Sequence, residues 1–384
     1  MGNDWRSLIL MGGRGRRMGY VDKGQLIYRG RTFLNRIKDE LLPLGLPCVI
    51  STADRENLTG EDGTIYVKDI PKLPDGSGAG PMGGIWSCFQ KTGAEGFFTV
   101  SCDMPLFRRE MFLALMDRVR PEYDAVLWRT RDGRIQPMCG YYSRACLFSL
   151  TKSIRERNYQ MTRFLSQLNC LVVDTSLEHI PDYCFTNVNS PDALETLKGR
   201  KLPVLAVSGR KNTGKTTLLE QLVRSLCAAG IRVAVIKHDG HEFEADVPGT
   251  DSRRMKDAGA YGTVVYSGTK FSMVKEKEGL KAEDFFGCFS EADIILLEGQ
   301  KDSDYLKLET VRQEISTVPV CRSNTVLAYV SDGKVEQRAA AADKEAGTET
   351  YGPAAVMTSP KPVYHFQDTD QLTELIVGVL DGHF

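Results

Sequence analysis

Short apolar runs alternate with amphipathic helical patterns along both halves of this 384-residue chain. In the first half, helical spacing is clear at Phe33, Ile37 and Leu41, and again at Met111 and Leu115. Six apolar runs predict strands: Ser7–Met11, Cys48–Ser51, Thr64–Val67, Phe97–Ser101, Asp124–Trp128 and Cys170–Val173. Strands that alternate with helices are typical of parallel sheets covered by helices, so we expect an α/β fold.

The second half continues this alternation. Leu218, Leu222, Val223 and Leu226 form one face of a predicted helix, and the last predicted helix is Asp368–Val379. The strands predicted here are Val204–Val207, Ile231–Ile236, Asp293–Leu297, one near Val318, and Thr325–Val330. The segment Glu336–Gly352 is rich in alanine and charge, and it fits either a helix or a mobile loop.

The length of the chain predicts two domains, since a single domain usually has ~100–200 residues. The segment KGRKLP at residues 198–203 is basic, contains glycine and proline, and directly precedes a new apolar strand. We therefore expect a first domain at 1–198, a linker at 199–203 and a second domain at 204–384. The two halves share no internal repeat, so we expect two different domains.

Composition excludes several classes of protein. Hydrophobic residues make up 42% and charged residues 26%, which is typical of a folded globular chain. Lys and Arg number 49 against 50 Asp and Glu, so no net basic charge predicts a nucleic-acid or membrane partner. The sequence has no apolar run long enough to span a bilayer, no signal-peptide pattern, and ten cysteines without a CxxC pair. We expect a cytoplasmic protein.

A glycine-rich, basic segment follows the first strand: LMGGRGRRMGYVDK, residues 10–23. Glycines let the backbone approach a ligand closely, and successive N–H groups can surround an anion. The dinucleotide fingerprint GxGxxG fails because Met18 occupies the position of its third glycine. The segment therefore predicts either a phosphate-binding loop or a surface turn with solvated arginines.

Four motifs in order resemble the molybdenum cofactor guanylyltransferase family over residues 5–198: the opening loop, GPMGGI at 80–85, SCDMPLF at 101–107 and TNVNSPDAL at 186–194. The resemblance implies a nucleotidyltransferase-type, Rossmann-like α/β/α sandwich that binds GTP and Mo-molybdopterin. Met11 stands where the family has alanine, and Thr52 stands where asparagine is expected. The resemblance implies a GTP site at Leu10, Met11, Gly12, Gly13, Lys23, Thr52, Asp69, Gly80 and Asp103, with Asn187 and Asn189 on the pterin side.

The chemistry of nucleotidyl transfer agrees with several of these positions. Asp103 follows an apolar strand, where open α/β folds bind ligands, and Mg²⁺ needs such a carboxylate together with substrate phosphates. An oxygen attacks the α-phosphorus and pyrophosphate leaves, so fixed cations stabilise the charge that develops. We assign Arg17 and Lys23 to the phosphates and Asp103 to the metal, and we expect these three residues to be catalytic. A turn aspartate that caps its own backbone is the alternative for Asp103.

A second phosphate site is predicted by GRKNTGKT at residues 209–216, which satisfies GxxxxGK[ST] between a strand and a helix. Lys215 would reach the β- and γ-phosphates, and Thr216 would hold Mg²⁺. Glu298, at the end of DIILLEG, is the expected second metal ligand, with a solvated strand-end charge as the alternative. The predicted GTP site comprises Gly209, Asn212, Thr213, Gly214, Lys215, Thr216 and Thr217.

This half resembles the molybdopterin-guanine dinucleotide biosynthesis adapter family over residues 203–330, through its phosphate loop, KHDGHEFEADVPGTDS at 237–252 and LLEGQK at 296–301. The resemblance implies a P-loop NTPase α/β domain that binds GTP, hydrolyses it weakly and serves apo-molybdoenzymes and their chaperones. The leading hypothesis is Mg²⁺-dependent transfer of GMP from GTP to Mo-molybdopterin.

Three alternatives stay open at this point. The first domain could be a cytidylyltransferase or a sugar nucleotidyltransferase of the same fold. The whole chain could be a GTP-binding regulatory or scaffold protein, and the second half could be a small-molecule kinase.

Overall fold

The computed structural model describes residues 4–11, 22–53, 58–69, 79–238, 249–337 and 360–382. Contacts between Cα atoms divide the chain into two compact units. The first unit comprises Met1–Lys201, Leu222–Arg232 and Asp368–Phe384, and the second comprises Leu202–Gln221 and Val233–Gln367. The domain limits expected from the sequence, 1–198 and 204–384, remain a prediction.

The first unit is built on an eight-stranded mixed sheet. The strands of this sheet are β1 Trp5–Leu10, β4 Cys48–Thr52, β5 Leu58–Thr59, β6 Ile65–Lys68, β7 Gly96–Ser101, β8 Ala125–Arg129, β9 Ile135–Ser143 and β10 Cys170–Asp174. Two further strands, β2 Ile27–Tyr28 and β3 Arg31–Thr32, form a separate hairpin. The order in the sheet is β10-β8-β9-β7-β1-β4-β6-β5. Strand β9 runs antiparallel to both of its neighbours, and β5 runs antiparallel to β6. The remaining neighbours are parallel, as predicted.

Six helices accompany this sheet: α1 Phe33–Leu41, α2 Gly80–Thr92, α3 Glu110–Met116, α4 Leu147–Arg155, α5 Met161–Leu165 and α6 Pro191–Lys198. Consecutive residues of the central strands are fully buried, for example Phe97 with Phe98 and Leu127 with Trp128. Since neighbouring side chains of a strand point to opposite faces, both faces of the sheet are covered. The α/β fold expected for this half is confirmed.

The second unit contains a six-stranded, entirely parallel sheet in the order β12-β15-β11-β16-β17-β18. The strands of this half are β11 Val204–Gly209, β12 Val233–Lys237, β13 Gly262–Tyr266, β14 Phe271–Lys275, β15 Ile294–Glu298, β16 Leu306–Val311, β17 Val326–Ser331 and β18 Val363–Tyr364. The helices described in this half are α7 Lys215–Ala228, α8 Asp251–Asp257 and α9 Thr369–Asp381. Helix α9 and the part of α7 from Leu222 onward belong to the first unit. Strands β13 and β14 form a separate antiparallel hairpin.

Several secondary-structure expectations are wrong. The strand expected near Val318 is absent from the described residues, and β16 lies a few residues earlier in the chain. Strand β9 and the β13–β14 hairpin were not predicted. The segment Glu336–Gly352 lies outside the described residues from position 338 onward. In the ranges that are described, none of the helices is both long and apolar enough to cross a membrane.

Two candidate nucleotide sites

The candidate site of the first unit lies at the carboxyl ends of four parallel strands, β1, β4, β6 and β7. The parallel hydrogen-bond pattern continues past these strands: Met11 N–H donates to Ser51 O at 3.0 Å, Asp69 N–H to Thr52 O at 2.8 Å, and Cys102 N–H to Leu10 O at 3.0 Å. These bonds fix the backbone on which the predicted residues stand. Open α/β sheets bind ligands at this edge.

Asp103 and Lys23 meet at the centre of this edge. Lys23 Nζ donates to Asp103 Oδ2 at 2.9 Å, and the Ser101 hydroxyl donates to Asp103 Oδ1 at 2.6 Å. The Asp103 side chain is only 12% exposed, so the ion pair is shielded from water. The Asp103 carboxylate is thus oriented by two donors and paired with a cation. It is an oxygen ligand of the kind that Mg²⁺ prefers, so it fits the predicted metal role.

The turn that carries Lys23 is held by local contacts. The Asp22 carboxylate accepts a hydrogen bond from Gly24 N–H at 2.9 Å, which begins a short 3-10 helix at Lys23. A Cβ on Gly24 would lie 3.0 Å from Met11 Cε, so the methionine that departs from the family pattern packs directly on this turn. Met11 therefore helps to place Lys23.

The two predicted pterin-side amides reach the same place. Val188 N–H donates to Asp103 O at 2.9 Å, which ties the segment between Asn187 and Asn189 to the end of β7. Asn189 Oδ1 accepts a hydrogen bond from Lys23 Nζ. Asn187 Nδ2 donates to Phe185 O at 3.2 Å. The last motif of the first half is thus joined to the metal-site candidates by direct contacts.

Asp69 lies on the other side of the site. It directly follows β6, and its Oδ1 accepts a hydrogen bond from the Ser51 hydroxyl. Burial raises the pKa of the Asp69 carboxyl above its ordinary value, and the Ser51 hydrogen bond opposes that rise. Thr52 is buried, and its carbonyl accepts the Asp69 N–H, so it supports the backbone at this point.

A pocket of about 290 Å³ joins these groups. Its lining residues are Leu10, Ser51, Asp69, Gly80, Pro81, Ser101, Asp103, Met138, Asn187 and Asn189. Gly80 has φ of +60° and begins α2, so the N-terminus of that helix opens into the pocket and favours an anion. Sequence reasoning assigned no role to three lining residues: Ser51 ends a predicted strand, Ser101 begins the SCDMPLF motif, and Met138 lies on the unpredicted strand β9. Gly12, Gly13 and Arg17 lie outside the described residues.

The second site is the loop between β11 and α7. Gly209, Asn212 and Gly214 all have positive φ, at 143°, 63° and 88°, so the loop needs residues that adopt this backbone. A Cβ on Gly209 would lie 2.4 Å from Thr310 Oγ1, and Thr213 Oγ1 lies 2.6 Å from that same atom. Thr310 on β16 therefore packs against the loop at both Gly209 and Thr213.

The charged groups that were predicted to bind phosphate and metal lie close together at this loop. Lys215 Nζ donates to Arg210 O at 2.6 Å, and Thr216 Oγ1 donates to Glu298 Oε1 at 2.7 Å. Lys237 Nζ lies 3.4 Å from Glu298 Oε2. Burial lowers the pKa of the Lys215 ammonium below its ordinary value, while the charge of Glu298 opposes the change.

The contact between Thr216 and Glu298 is the second candidate metal position. A hydroxyl and a carboxylate supply oxygen ligands that fit Mg²⁺, with phosphates and water completing the shell. Thr217 follows on the exposed first turn of α7. Within the described ranges, no three His, Cys, Asp or Glu side chains cluster as a ready-made metal site.

Comparison with known proteins defines the class of each half. A family model described as a MobA-like NTP transferase domain matches residues 7–171, and a model described as molybdopterin guanine dinucleotide synthesis protein B matches residues 204–332. The chain is thus a nucleotidyltransferase joined to a P-loop-type domain.

Individual relatives agree with both matches. The molybdopterin-guanine dinucleotide biosynthesis adapter proteins of Escherichia coli and Haemophilus influenzae are 38% and 34% identical, over 29% and 30% of this chain and 66% and 67% of their own lengths. A probable molybdenum cofactor guanylyltransferase of Halalkalibacterium halodurans is 28% identical, over 49% of this chain and 94% of its own. The chain belongs to the adapter family through its second half and is MobA-like in its first.

Among solved structures, molybdopterin-guanine dinucleotide biosynthesis protein A of Archaeoglobus fulgidus is similar with a TM-score of 0.41 and 20% identity. The match covers 50% of this chain and 96% of that protein.

Proposed function

We propose that the first unit transfers GMP from GTP to the terminal phosphate of Mo-molybdopterin in a Mg²⁺-dependent reaction, releasing pyrophosphate. The observation that carries the proposal is the contact of Lys23 with Asp103 and Asn189, two residues that line the same pocket. One cation thus lies within hydrogen-bonding distance of both a metal-ligand candidate and a pterin-side candidate. The MobA-like family match and the guanylyltransferase relative support the choice of substrates.

The residues have separate roles in this reaction. Mg²⁺, when bound, would supply positive charge that lowers the repulsion between the nucleotide phosphates and the incoming acceptor phosphate. Asp103 would hold that ion, and Ser101 would keep the carboxylate oriented. Lys23 would leave Asp103 for the phosphates, where its charge stabilises the pentavalent centre. The acceptor phosphate is already ionised near neutral pH, so the reaction needs no general base to remove a proton from it.

Base selection is assigned to Asp69. A carboxylate can accept two hydrogen bonds from N1–H and the exocyclic amine of guanine, and adenine lacks that pair of donors. Asp69 lines the pocket and is held by Ser51, which fits a group that must present its oxygens in a fixed direction. The role of Asp69 rests on this position and on the family resemblance.

The second unit would bind GTP at its phosphate loop and hydrolyse it weakly. The Lys215 side chain and the Thr216–Glu298 pair support this proposal, because they place a cation and a metal position beside the loop. The names of the adapter relatives support a role in guiding the cofactor to apo-molybdoenzymes or their chaperones. The ten free thiols suit a reducing cytoplasm.

The decisive experiment measures pyrophosphate release from the full chain with Mo-molybdopterin, Mg²⁺ and each nucleoside triphosphate in turn. We expect turnover with GTP and a loss of about 10²-fold or more in Lys23→Ala, because one preorganised donor is removed. Lys91→Ala, on the exposed last turn of α2, is the matched control and should keep full activity. Turnover with CTP in place of GTP, or full activity in Lys23→Ala, would contradict the proposal.

A further inference from the structure

Three residues of the second unit follow three neighbouring strands at the edge of the sheet that carries the phosphate loop. Arg312 directly follows β16, Asp332 directly follows β17, and Phe366 lies two residues after β18. The strands are parallel and in register, with Val311 opposite Ser331 and Val330 opposite Tyr364. The three side chains therefore start from one side of the phosphate loop, and Glu298 on β15 starts from the other.

These residues contact one another directly. The guanidinium carbon of Arg312 lies 4.3 Å from the centre of the Phe366 ring. Arg312 Nη1 donates to Asp332 Oδ2 at 3.2 Å, and the backbone N–H of Gln313 donates to Asp332 Oδ1 at 3.0 Å. The guanidinium is thus stacked on an aromatic ring and hydrogen-bonded to a carboxylate.

The cluster also touches the phosphate loop. A Cβ on Gly214 would lie 3.3 Å from Arg312 Nη2 and 3.4 Å from Phe366 Cε1. Gly214 immediately precedes Lys215, the predicted partner of the β- and γ-phosphates. A nucleotide whose phosphates lie in the loop can therefore direct its base towards this cluster.

Guanine and the arginine side chain share a chemical group. The N1–C2–N2 edge of guanine is a planar guanidine that presents two adjacent N–H donors, and its ring has a flat face for stacking. We propose that Phe366 and Asp332 form a guanine-binding subsite, which the Arg312 guanidinium occupies when no nucleotide is bound. This inference rests on the proposed GTP site of the second unit and assigns its base specificity.

The state of Asp332 suits this role. Its side chain is 26% exposed, and its two oxygens accept hydrogen bonds from Arg312 Nη1 and Gln313 N–H. A carboxylate oxygen can accept more than one hydrogen bond, and departure of Arg312 would free Oδ2 for a base. The hydrogen bond from Gln313 N–H orients the carboxylate. It is also the largest cause of the lowered pKa of Asp332. The charged carboxylate would repel the N1 lone pair of adenine, so the subsite selects guanine.

The test is a change of base preference in the full chain, measured by titration calorimetry with Mg²⁺ and GTP, XTP or ATP. Lys215→Ala identifies which binding event belongs to the second unit. Xanthine has a carbonyl where guanine has the amine, so an amide at position 332 can donate to it. We expect Asp332→Asn to weaken GTP binding at the Lys215-dependent site by about 10- to 100-fold and to strengthen XTP binding by a similar factor.

Asp304→Asn is the matched control, because Asp304 is an exposed aspartate of the same unit, paired with Arg322. It should leave the GTP-to-XTP ratio at its wild-type value. An unchanged ratio in Asp332→Asn would overturn the guanine subsite while leaving the GTP site intact. Absence of any Lys215-dependent nucleotide binding in the unaltered protein would instead overturn the proposed GTP site itself.

The variant Arg312→Ala tests whether Arg312 only occupies the empty base subsite or itself binds the nucleotide. If the Arg312 guanidinium only occupies the subsite in place of the base, it competes with guanine. Its removal should then leave the affinity for GTP unchanged or raise it. A fall in GTP affinity as large as that in Asp332→Asn would show that Arg312 itself holds the nucleotide. That result would overturn its assignment as a stand-in for guanine.

Discussion

Two charged side chains of β16 are fully buried, which is unusual for lysine and glutamate. Lys307 Nζ donates to the carbonyls of Ser303 at 2.5 Å and Tyr305 at 2.7 Å. Glu309 Oε1 accepts from the backbone N–H groups of Val320 at 2.5 Å and Cys321 at 3.2 Å. Backbone groups of the adjoining loops thus replace the water that each charge loses.

This burial makes the stability of the protein depend on pH. Burial lowers the pKa of the Lys307 ammonium to about 8, below the ordinary value of 10.5. The unfolded chain therefore binds more protons than the folded chain between those two values, and the free energy of unfolding rises with pH in that window. In urea unfolding, the stability of the wild type relative to Lys307→Met should increase from pH 7 to pH 10. A difference that is constant with pH would contradict the low pKa.

The same residues explain an error in the sequence prediction. The segment LKLETV alternates apolar and charged positions, which does not resemble the continuous apolar run of a buried parallel strand. Its partners for Lys307 and Glu309 come from loops on both sides of the strand, which no local pattern reveals. By contrast, Lys23 and Asp103 could be predicted because each lies within a motif, and Asp69 was implied by the family resemblance. The catalytic roles of Lys23 and Asp103 and the GTP-binding role of Asp69 remain predictions.

At the scale of elements, helix α2 packs very closely on β4 next to the first site. A Cβ on Gly84 would lie 2.4 Å from Ser51 Oγ and 3.0 Å from Leu10 Cδ2. Ser51 is also the residue that donates to Asp69. Gly84 thus permits the close approach of α2 to Ser51 and Leu10, two residues that line the pocket. The sequence offered Gly84 only as part of a motif, and the contact could not be predicted without the packing.

Two alanine substitutions in helices of the same unit test this packing. Gly84→Ala should lower the free energy of unfolding by about 1–3 kcal/mol, since the added methyl forces Ser51 and Leu10 to move. Gly378→Ala in α9 meets nothing within 4 Å, so it should raise stability by roughly 0.5–1 kcal/mol through a less flexible unfolded chain. Equal effects on the urea midpoint would show that Gly84 is not a close-packing position.

At the scale of the whole molecule, the chain carries two proposed phosphate-binding edges built on different sheets. One is at the end of β1 and β7 in a mixed sheet, and the other is at the end of β11 in a parallel sheet. Sequence motifs predicted both edges because phosphate loops need glycine and lysine at fixed spacing. The antiparallel β9 between β7 and β8 was missed, since direction cannot be read from an apolar run.

Independent sites predict separable defects. Lys215→Ala should abolish nucleotide binding in the second unit and leave pyrophosphate release by the first unit within about twofold of the wild type, because Lys215 donates to Arg210 O of its own loop and interacts with Glu298 and Lys237 of the same unit. Calorimetry and the release assay on one preparation would measure both. Lys270→Ala, an exposed lysine in the same unit, is the control. Loss of turnover together with binding would show that the sites are coupled.

The position of β9 bears on how the first sheet assembles. Strands β8 and β9 are joined by a tight turn, in which Gly133 N–H donates to Thr130 O at 2.8 Å and Thr130 N–H to Arg134 O at 3.0 Å. In the neighbouring pair, β1 and β7, the paired residues Trp5 and Gly96 are far apart in the sequence. Loop-closure entropy is small for the first pair and larger for the second. The β8–β9 hairpin can therefore form early in folding. The free edge of β9 can then pair with β7, and β1 can add to β7 afterwards.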